Sequence, residues 1–243
     1  MEFLGLSAAA WAVAVGIVFV GAVIQSSAGF GFGIVSAPVL VVLDPALVPA
    51  VVIGMGVPAS LLVIWRERAN VRLATVQWVL LGRLPGSYLG ALAVVALGDR
   101  ALALMFAVSL LTAVGLSVAG LQVRHTAPNM AAVGLVSGAM GTATSIGGPP
   151  LALLYQRESG PDLRAAMSVL LATGSVMSLS FLALGGAYSW FDAQRTIAFY
   201  PVVLLGFAAS RWTVRWLDGG YTRAAVLVFA AGAALLIGAR ALF

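Results

Sequence analysis

Charged residues are scarce in this sequence. Only 9% of its 243 residues are Asp, Glu, Lys or Arg, against about 25% in an ordinary soluble domain, while 62% are apolar and the mean hydropathy is +1.07. A surface that faces water cannot be built from this composition. The chain has no cysteine, which excludes disulfides, thiol catalysis and thiolate metal sites, and it has a single histidine, His125. We expect neither a metal ion nor a cofactor.

The basic residues are also unusual, because lysine is absent and the net charge of +5 rests on arginine alone. Nearly all of the arginines stand singly or in twos and threes between apolar runs. This pattern is typical of topology signals in membrane proteins rather than of the clustered basic surface of a nucleic-acid-binding protein. We therefore expect a lipid bilayer, and no nucleic acid, around this chain.

Long apolar runs fill most of the chain. A helix needs about 20 apolar residues to cross the hydrocarbon core of a bilayer. Short polar separators, none long enough for an extramembrane domain, divide the sequence into eight apolar segments, at about 7–43, 46–65, 73–97, 101–123, 129–156, 163–190, 196–217 and 221–242. This predicts an all-α, polytopic membrane helix bundle that forms a single domain over residues 1–243.

Two of the segments share a Gly-rich pattern that ends in proline. The first contains SAGFGFGIVSAPVLVVL and the second MGTATSIGGPPLALLYQ. Gly29 to Pro38 has the same spacing as Gly141 to Pro150, and Leu80-Leu81-Gly82 recurs later as Leu204-Leu205-Gly206. The chain is predicted to consist of two homologous halves, about 1–122 and 127–243.

Glycine and proline inside these two segments predict a helix break in each half. An interior Gly costs a helix about 1 kcal/mol and an interior Pro about 3 kcal/mol. Irregular backbone at membrane depth must be buried in protein or line a cavity, and breaks at matching positions of two halves favour a transporter's binding site. The alternative is that the glycines only permit close helix packing, as at Gly86 and Gly90 or Gly134 and Gly138. The breaks are assigned to Pro38, Pro149 and Pro150.

Polar groups beside the breaks are candidate substrate contacts. Half-helix N-termini attract anions, and neighbouring hydroxyls and amides add neutral donors, although any single Ser or Thr could instead bond to a carbonyl one turn earlier. Arg83 is the one cation well inside a segment; it could be the counter-charge for an anion, or it could extend to the membrane interface. The candidate set is Gln25, Ser26, Ser27, Gly29, Gly31, Gly33, Arg83, Thr142, Thr144, Ser145, Gly147 and Gly148.

The charges also bear on coupling and topology. All eight acids lie at or near segment ends, which disfavours proton coupling through a buried carboxylate. Eight simple crossings would place six arginines on each side of the membrane. If both Gly-rich segments instead enter and leave on one face, the split becomes nine to three, with a clear positive side. We predict this arrangement, in which the two halves are inverted and both Gly-rich segments are re-entrant.

The length, the number of segments and the paired motifs resemble the sulfite exporter TauE/SafE family. The matching stretches are Gly29-Phe30-Gly31-Phe32-Gly33 to Pro38 and Gly141 to Pro150, with Phe32 and the polar run Thr142–Ser145 where more glycine is usual. The resemblance implies a permease and not an enzyme. Its expected substrate is a small sulfur-containing anion such as sulfite, a sulfonate such as sulfoacetate, or thiosulfate, exported across a bacterial inner membrane. A homodimer is compatible with this assignment.

Two other classes of function are alternatives. A membrane-embedded enzyme acting on lipid or isoprenoid phosphate would need a cluster of acid, base, nucleophile or metal ligands. With one His, no Cys and no grouped carboxylates, the sequence offers few candidates for such a cluster. An accessory or structural membrane subunit would need no pathway of its own. Such a subunit would not explain why both halves keep a costly helix break.

Overall fold

The computed structural model describes residues 2–118, 123–158 and 160–217, so the segment predicted at 221–242 lies outside the described residues. Two short strands, Glu2–Phe3 (β1) and Leu6–Ser7 (β2), pair in antiparallel fashion, and all longer elements in the described ranges are helical. The helices are α1 Ala8–Ala28, α2 Phe32–Leu43, α3 Ala50–Arg66, α4 Gln77–Ala96, α5 Asp99–Val118, α6 Ala127–Thr144, α7 Gly148–Tyr155, α8 Gly160–Leu184, α9 Trp190–Ala198 and α10 Tyr200–Leu217. The architecture is an all-helical bundle.

Both Gly-rich segments are broken helices. Helix α1 is ended by Gly29 at φ +87°, and Gly31 at φ +115° precedes α2. Positive φ of this kind is readily adopted only by glycine. Helix α6 is ended by Ser145 at φ +65°, and α7 begins at Gly148. The breaks therefore lie at 29–31 and 145–147.

The assignment of a break to Pro38 is wrong. Pro38 lies inside α2, which continues through it to Leu43, whereas the chain turns at the glycines before that helix. Pro149 and Pro150 occupy the first turn of α7, where a missing N–H costs no intrahelical bond, so they begin a helix directly after a break.

The two Gly-rich motifs are capped at different points. Gly29 caps α1, whereas α6 continues past Gly141 and is capped by Ser145, about one helical turn later. Gly82 and Gly90 both pack on α6, against Ala131 and Ala139, and Gly206 packs on α1, against Ala22 and Val23. The equal spacing of glycine and proline in the two motifs therefore does not place the two helix caps at matching positions.

Helices α1 and α2 form a hairpin whose two outer ends are tied together. The Ser36 hydroxyl of α2 donates to the Ile17 carbonyl of α1 at 3.4 Å, so the helices run antiparallel. Arg195 then joins the outer ends, since its Nε donates to the Leu4 carbonyl at 2.9 Å and its Nη2 lies 2.9 Å from Asp44 Oδ2. The hairpin starts and finishes at the same end of the molecule, which we name the Asp44 end.

Helices α6 and α7 form a second hairpin that opens at the opposite end. His125 Nε2, just before α6, lies 2.6 Å from the Leu154 carbonyl oxygen near the end of α7. Helix α8 begins a few residues later, and its Arg164 donates to Glu67 at 2.9 Å, directly after α3. We name this the Glu67 end. Helix α3 connects the two ends, because it starts after Asp44 and finishes at Arg66.

Close helix pairs surround the hairpins. Helix α1 packs along α10, with Trp11 stacked on Phe199 at 4.5 Å and Ser27 Oγ 2.8 Å from Thr213 Oγ1, so these helices run parallel. Helix α4 packs along α6 in the same sense, and α3 packs on α8. A Cβ atom at Gly86 would overlap the Leu135 backbone of α6, so only a residue without a side chain fits at this position.

We therefore expect Gly86→Ala to lower the stability of the detergent-solubilised protein. The added methyl meets backbone rather than a movable side chain, and overpacking of this kind costs about 1–3 kcal/mol. The thermal unfolding midpoint measures the effect. Gly16→Ala is the matched control, because a Cβ at Gly16 meets no atom within 4 Å; an equal loss of stability in both variants would contradict the proposed packing.

The outer surface of the bundle is apolar. Large apolar side chains are exposed along α4, among them Leu81, Leu89 and Val95, and exposed tryptophans lie near helix ends at Trp65, Trp78, Trp190 and Trp212. Lipid-facing helices with interfacial tryptophans have this pattern. Within the described residues, four stretches are long and apolar enough to cross a membrane: Ala8–Ala28, Gln77–Ala96, Gly160–Leu184 and Trp190–Val214. The chain is an integral membrane protein.

Candidate functional site

The two helix breaks meet inside the bundle beside a small cavity. Gly33, in the first turn of α2, lies so close to the Ser145 backbone that a Cβ at Gly33 would overlap the Ser145 carbonyl. Helices α3, α4 and α8 complete the walls. The lining residues are Gln25, Phe32, Gly33, Val52, Ile53, Gly56, Arg83, Gly141, Ser145, Gly147, Leu171, Ser175 and Ser178.

The guanidinium of Arg83 is the central group of this cavity. Arg83 is 2% exposed, so its guanidinium lies inside the bundle and not at a lipid interface. Nη1 donates to the Ser137 hydroxyl at 3.3 Å, and the buried Nε has no hydrogen-bond partner. Among the described residues, no carboxylate pairs with Arg83. A buried cation with so few partners is costly unless an anion joins it.

Two glycines make room for the Arg83 guanidinium. A Cβ at Gly174 of α8 would overlap Nε, Cζ and Nη2, and a Cβ at Gly141 of α6 would lie 3.4 Å from Nη2. The flat guanidinium thus lies against the bare backbone of α8. Gly174 positions the charge, and any side chain there would displace it.

Gln25 holds the first break in place. Its Nε2 donates to Ser60 Oγ at 2.8 Å and to the Gly56 carbonyl at 3.2 Å, both on α3. Its Oε1 accepts from the Phe32 backbone N–H at 3.3 Å, which satisfies one of the free donors at the start of α2. Because both amide hydrogens are used, Gln25 shapes the cavity wall more than it offers a free donor.

Hydroxyl groups hold the second break. Ser145 Oγ donates to the Pro49 carbonyl at 3.0 Å, and Ser137 Oγ donates to the Gly147 carbonyl at 2.6 Å. Ser137 therefore contacts both Arg83 and the break. Ser145, a non-glycine residue at positive φ, is supported by its bond to the segment that precedes α3.

The other predicted site residues lie around the cavity and not in its wall. Thr142 Oγ1 is 2.6 Å from Ser178 Oγ, so Thr142 contacts a residue that lines the cavity. Thr144 bonds to the Met140 carbonyl one turn earlier, at 2.7 Å, which is the local alternative noted for single hydroxyls. Ser27 bonds to Thr213, and the buried Ser26 hydroxyl has no partner. Gly29 packs on Arg164, Gly31 on Ile24, and Gly148 on Phe30.

One wall of the site was missed by sequence reasoning. Gly174, Ser175 and Ser178 of α8 contact Arg83 or line the cavity. Their spacing puts a strip of small residues, two of them with hydroxyls, on one face of α8. This strip was a readable signal, but no glycine run or proline marked it as a break.

The electrostatics of the cavity are simple. Among the described residues that line it, Arg83 is the one ionisable side chain. At the Glu67 end, one carboxylate partly offsets the charge of two arginines: Glu67 Oε1 accepts from Arg66 Nε at 3.1 Å and from Arg164 Nε at 2.9 Å. In the described ranges, no group of three or more His, Cys, Asp or Glu side chains is placed to hold a metal ion. The arrangement can bind an anion.

Comparison with known proteins agrees with this geometry. A family model described as "Sulfite exporter TauE/SafE" matches residues 13–237, nearly the whole chain. Searches of curated proteins and of solved structures found no match. A match over this length, together with the apolar helical bundle, establishes the family. The chain belongs to the sulfite exporter TauE/SafE family of membrane transporters.

Proposed function

We propose that this protein is a permease that exports a small sulfur-containing anion, such as sulfite, a sulfonate or thiosulfate, across the bacterial inner membrane. The observation that carries the proposal is the buried guanidinium of Arg83, which has no carboxylate partner in the described chain and lies in a cavity beside both helix breaks. An anion at this place would supply the missing counter-charge.

The energetics favour an occupied site. An arginine at the centre of a membrane helix costs about 2.5–3.5 kcal/mol on insertion scales. A bound oxyanion can accept from the guanidinium of Arg83, and charge-assisted bonds of this kind are about twice as strong as neutral ones. The hydroxyl of Ser175 offers a further donor from the cavity wall without adding charge.

We further propose that the protein consists of two inverted halves. Supporting this, the α1–α2 hairpin opens at the Asp44 end and the α6–α7 hairpin at the Glu67 end, while α1 pairs with α10 as α6 pairs with α4. In a bilayer, each hairpin would enter and leave on one face. The arginine-rich Glu67 end would be cytoplasmic by the positive-inside rule.

Cysteine labelling tests this topology without background, since the wild-type chain has no cysteine. Thr126→Cys lies beside the α6–α7 hairpin and Gln194→Cys lies in α9; both side chains are exposed. We expect a membrane-impermeant maleimide to label Gln194→Cys in intact cells and Thr126→Cys only after permeabilisation. Eight simple crossings would put both positions on one side, so equal labelling would refute the inverted arrangement.

Transport by the purified protein tests the function itself. Proteoliposomes that contain only this protein are expected to move sulfite or a sulfonate faster than protein-free liposomes, with a flux that saturates. An accessory subunit would give no flux above the lipid background, and that result would overturn the proposal. Sulfite release from loaded cells, with and without the protein, tests the export direction.

A further inference from the structure

We infer that the site accepts monoanions and rejects dianions. This rests on the proposed function and narrows it to one charge class. The inference starts from a count of charges: Arg83 is the one ionisable side chain that lines the cavity in the described structure. A bound monoanion brings the net charge of the site to zero, whereas a dianion leaves one negative charge uncompensated.

The helices around the cavity supply no second cation close to it. Helices α1, α2 and α6 carry no ionisable side chain at all. On α3 and α8 the charged residues are Arg66, Asp162 and Arg164, which lie at the Glu67 end, where Glu67 bonds to both arginines and Asp162 accepts from Asn70. On α4, the half-exposed Tyr88 packs against Phe181.

At the position equivalent to Arg83, the described part of the second half supplies no symmetric cation. Gly90 on α4 and Gly206 on α10 make equivalent contacts with α6 and α1. Arg83 lies seven residues before Gly90, and the residue seven positions before Gly206 is Phe199. Phe199 is fully buried and stacks on Trp11. The proposed repeat therefore presents one positive charge where a site for dianions would be expected to present two.

Desolvation makes this difference decisive. The Born cost of moving an ion out of water rises with the square of its charge, so it is about four times larger for a dianion than for a monoanion of the same size. One guanidinium can offset the cost for the first charge but not for the second. Sulfonates with no second acid group and hydrogen sulfite meet this requirement. Sulfate, thiosulfate, sulfoacetate and fully ionised sulfite are dianions and do not, so the inference removes thiosulfate and sulfoacetate from the substrates considered above.

Four other lining residues fit the same class. Phe32, Val52, Ile53 and Leu171 are apolar, so the cavity combines apolar side chains with the single charge of Arg83. A sulfonate combines the same two features, with three oxygens on one side and a carbon substituent on the other. Methanesulfonate is the simplest probe of this kind, and its charge does not change with pH near neutrality.

The test compares fluxes in proteoliposomes for methanesulfonate, sulfate and sulfite, each at mildly acidic and mildly alkaline pH. Methanesulfonate flux is expected to exceed sulfate flux at least tenfold at both pH values. Sulfite flux is expected to fall as pH rises through the second ionisation of sulfurous acid, in proportion to the remaining hydrogen sulfite, while methanesulfonate flux stays level.

Sulfate flux equal to that of methanesulfonate, or sulfite flux that rises with the dianion, would overturn the inference and leave the permease intact. No protein-dependent flux for any of the three anions would overturn the proposed function and this inference with it. Arg83→Lys retains one positive charge, so the preference for methanesulfonate over sulfate is expected to persist in that variant; a reversed preference would show that charge balance does not set selectivity.

Discussion

Arg83→Gln is expected to raise the thermal stability of the empty protein and to abolish transport. In the empty protein the guanidinium is buried without a carboxylate partner among the described residues, so removing its charge removes a desolvation cost. In the loaded protein the same change leaves the anion unpaired, and losing one partner of a buried charge pair costs about 2–5 kcal/mol of binding. Unfolding midpoints with and without methanesulfonate, together with flux, measure both effects.

The matched control is Arg211→Gln. Arg211 is an exposed arginine on α10 whose Nε donates to the Ala208 carbonyl of its own helix. This substitution removes the same charge from the chain but leaves the cavity unchanged, so neither stability nor flux is expected to change. If Arg83→Gln lowered stability and retained ligand-dependent stabilisation, Arg83 would be a structural residue and the proposed site would be wrong.

Gly174→Ala is expected to weaken anion binding at least tenfold while the protein stays folded. A Cβ at this position overlaps the Arg83 guanidinium, which would have to move away from α8. Alanine favours a helix more than glycine does, so the backbone of α8 is not expected to suffer. The concentration of methanesulfonate that gives half-maximal flux is the measurement, and tenfold corresponds to about 1.4 kcal/mol of lost binding.

A double-mutant cycle separates positioning from general damage. The slimmer ammonium of lysine does not fill the space beside Gly174, so Gly174→Ala is expected to have a much smaller effect in an Arg83→Lys background. Gly115→Ala on α5 is the control, because a Cβ there meets nothing within 4 Å. Equal effects of Gly174→Ala in both backgrounds would contradict a role that acts through Arg83.

Composition and glycine placement predicted the membrane helices and the location of the breaks. These features are local: a lack of charge requires a lipid-facing surface, and three glycines within five residues cannot sustain a helix as apolar residues do. The position of Arg83 in a segment was equally readable. Whether it faced a cavity or the interface depended on packing with α6 and α8, which no local pattern contains.

The errors were those of register. Pro38 continues α2 because a helix can tolerate one proline when its neighbours supply compensating contacts, so proline alone does not locate a break. Pairing Gly29 with Gly141 matched glycines in sequence, but Gly29 caps α1 whereas the residue that caps α6 is Ser145. The α8 wall at Gly174, Ser175 and Ser178 was missed because it contributes a face and not a break.

The long-range ties of the hairpins could not be predicted from sequence at all. Arg195 joins Leu4 and Asp44, which are far from it in the chain, and His125 contacts Leu154 across the second hairpin. The arginine distribution nevertheless favoured re-entrant segments, because membrane orientation depends on charge counts in loops and not on such contacts.

Locating a bound anion tests the central claim most directly. A structure determined with 2-bromoethanesulfonate, using the anomalous scattering of bromine, would show where a sulfonate binds. Our account predicts the sulfonate oxygens at the Arg83 guanidinium, between Gly33 and Gly141, and the loss of this density in Arg83→Gln. Full occupancy at another cation, such as Arg66 or Arg164 at the Glu67 end, with none beside Arg83, would contradict it.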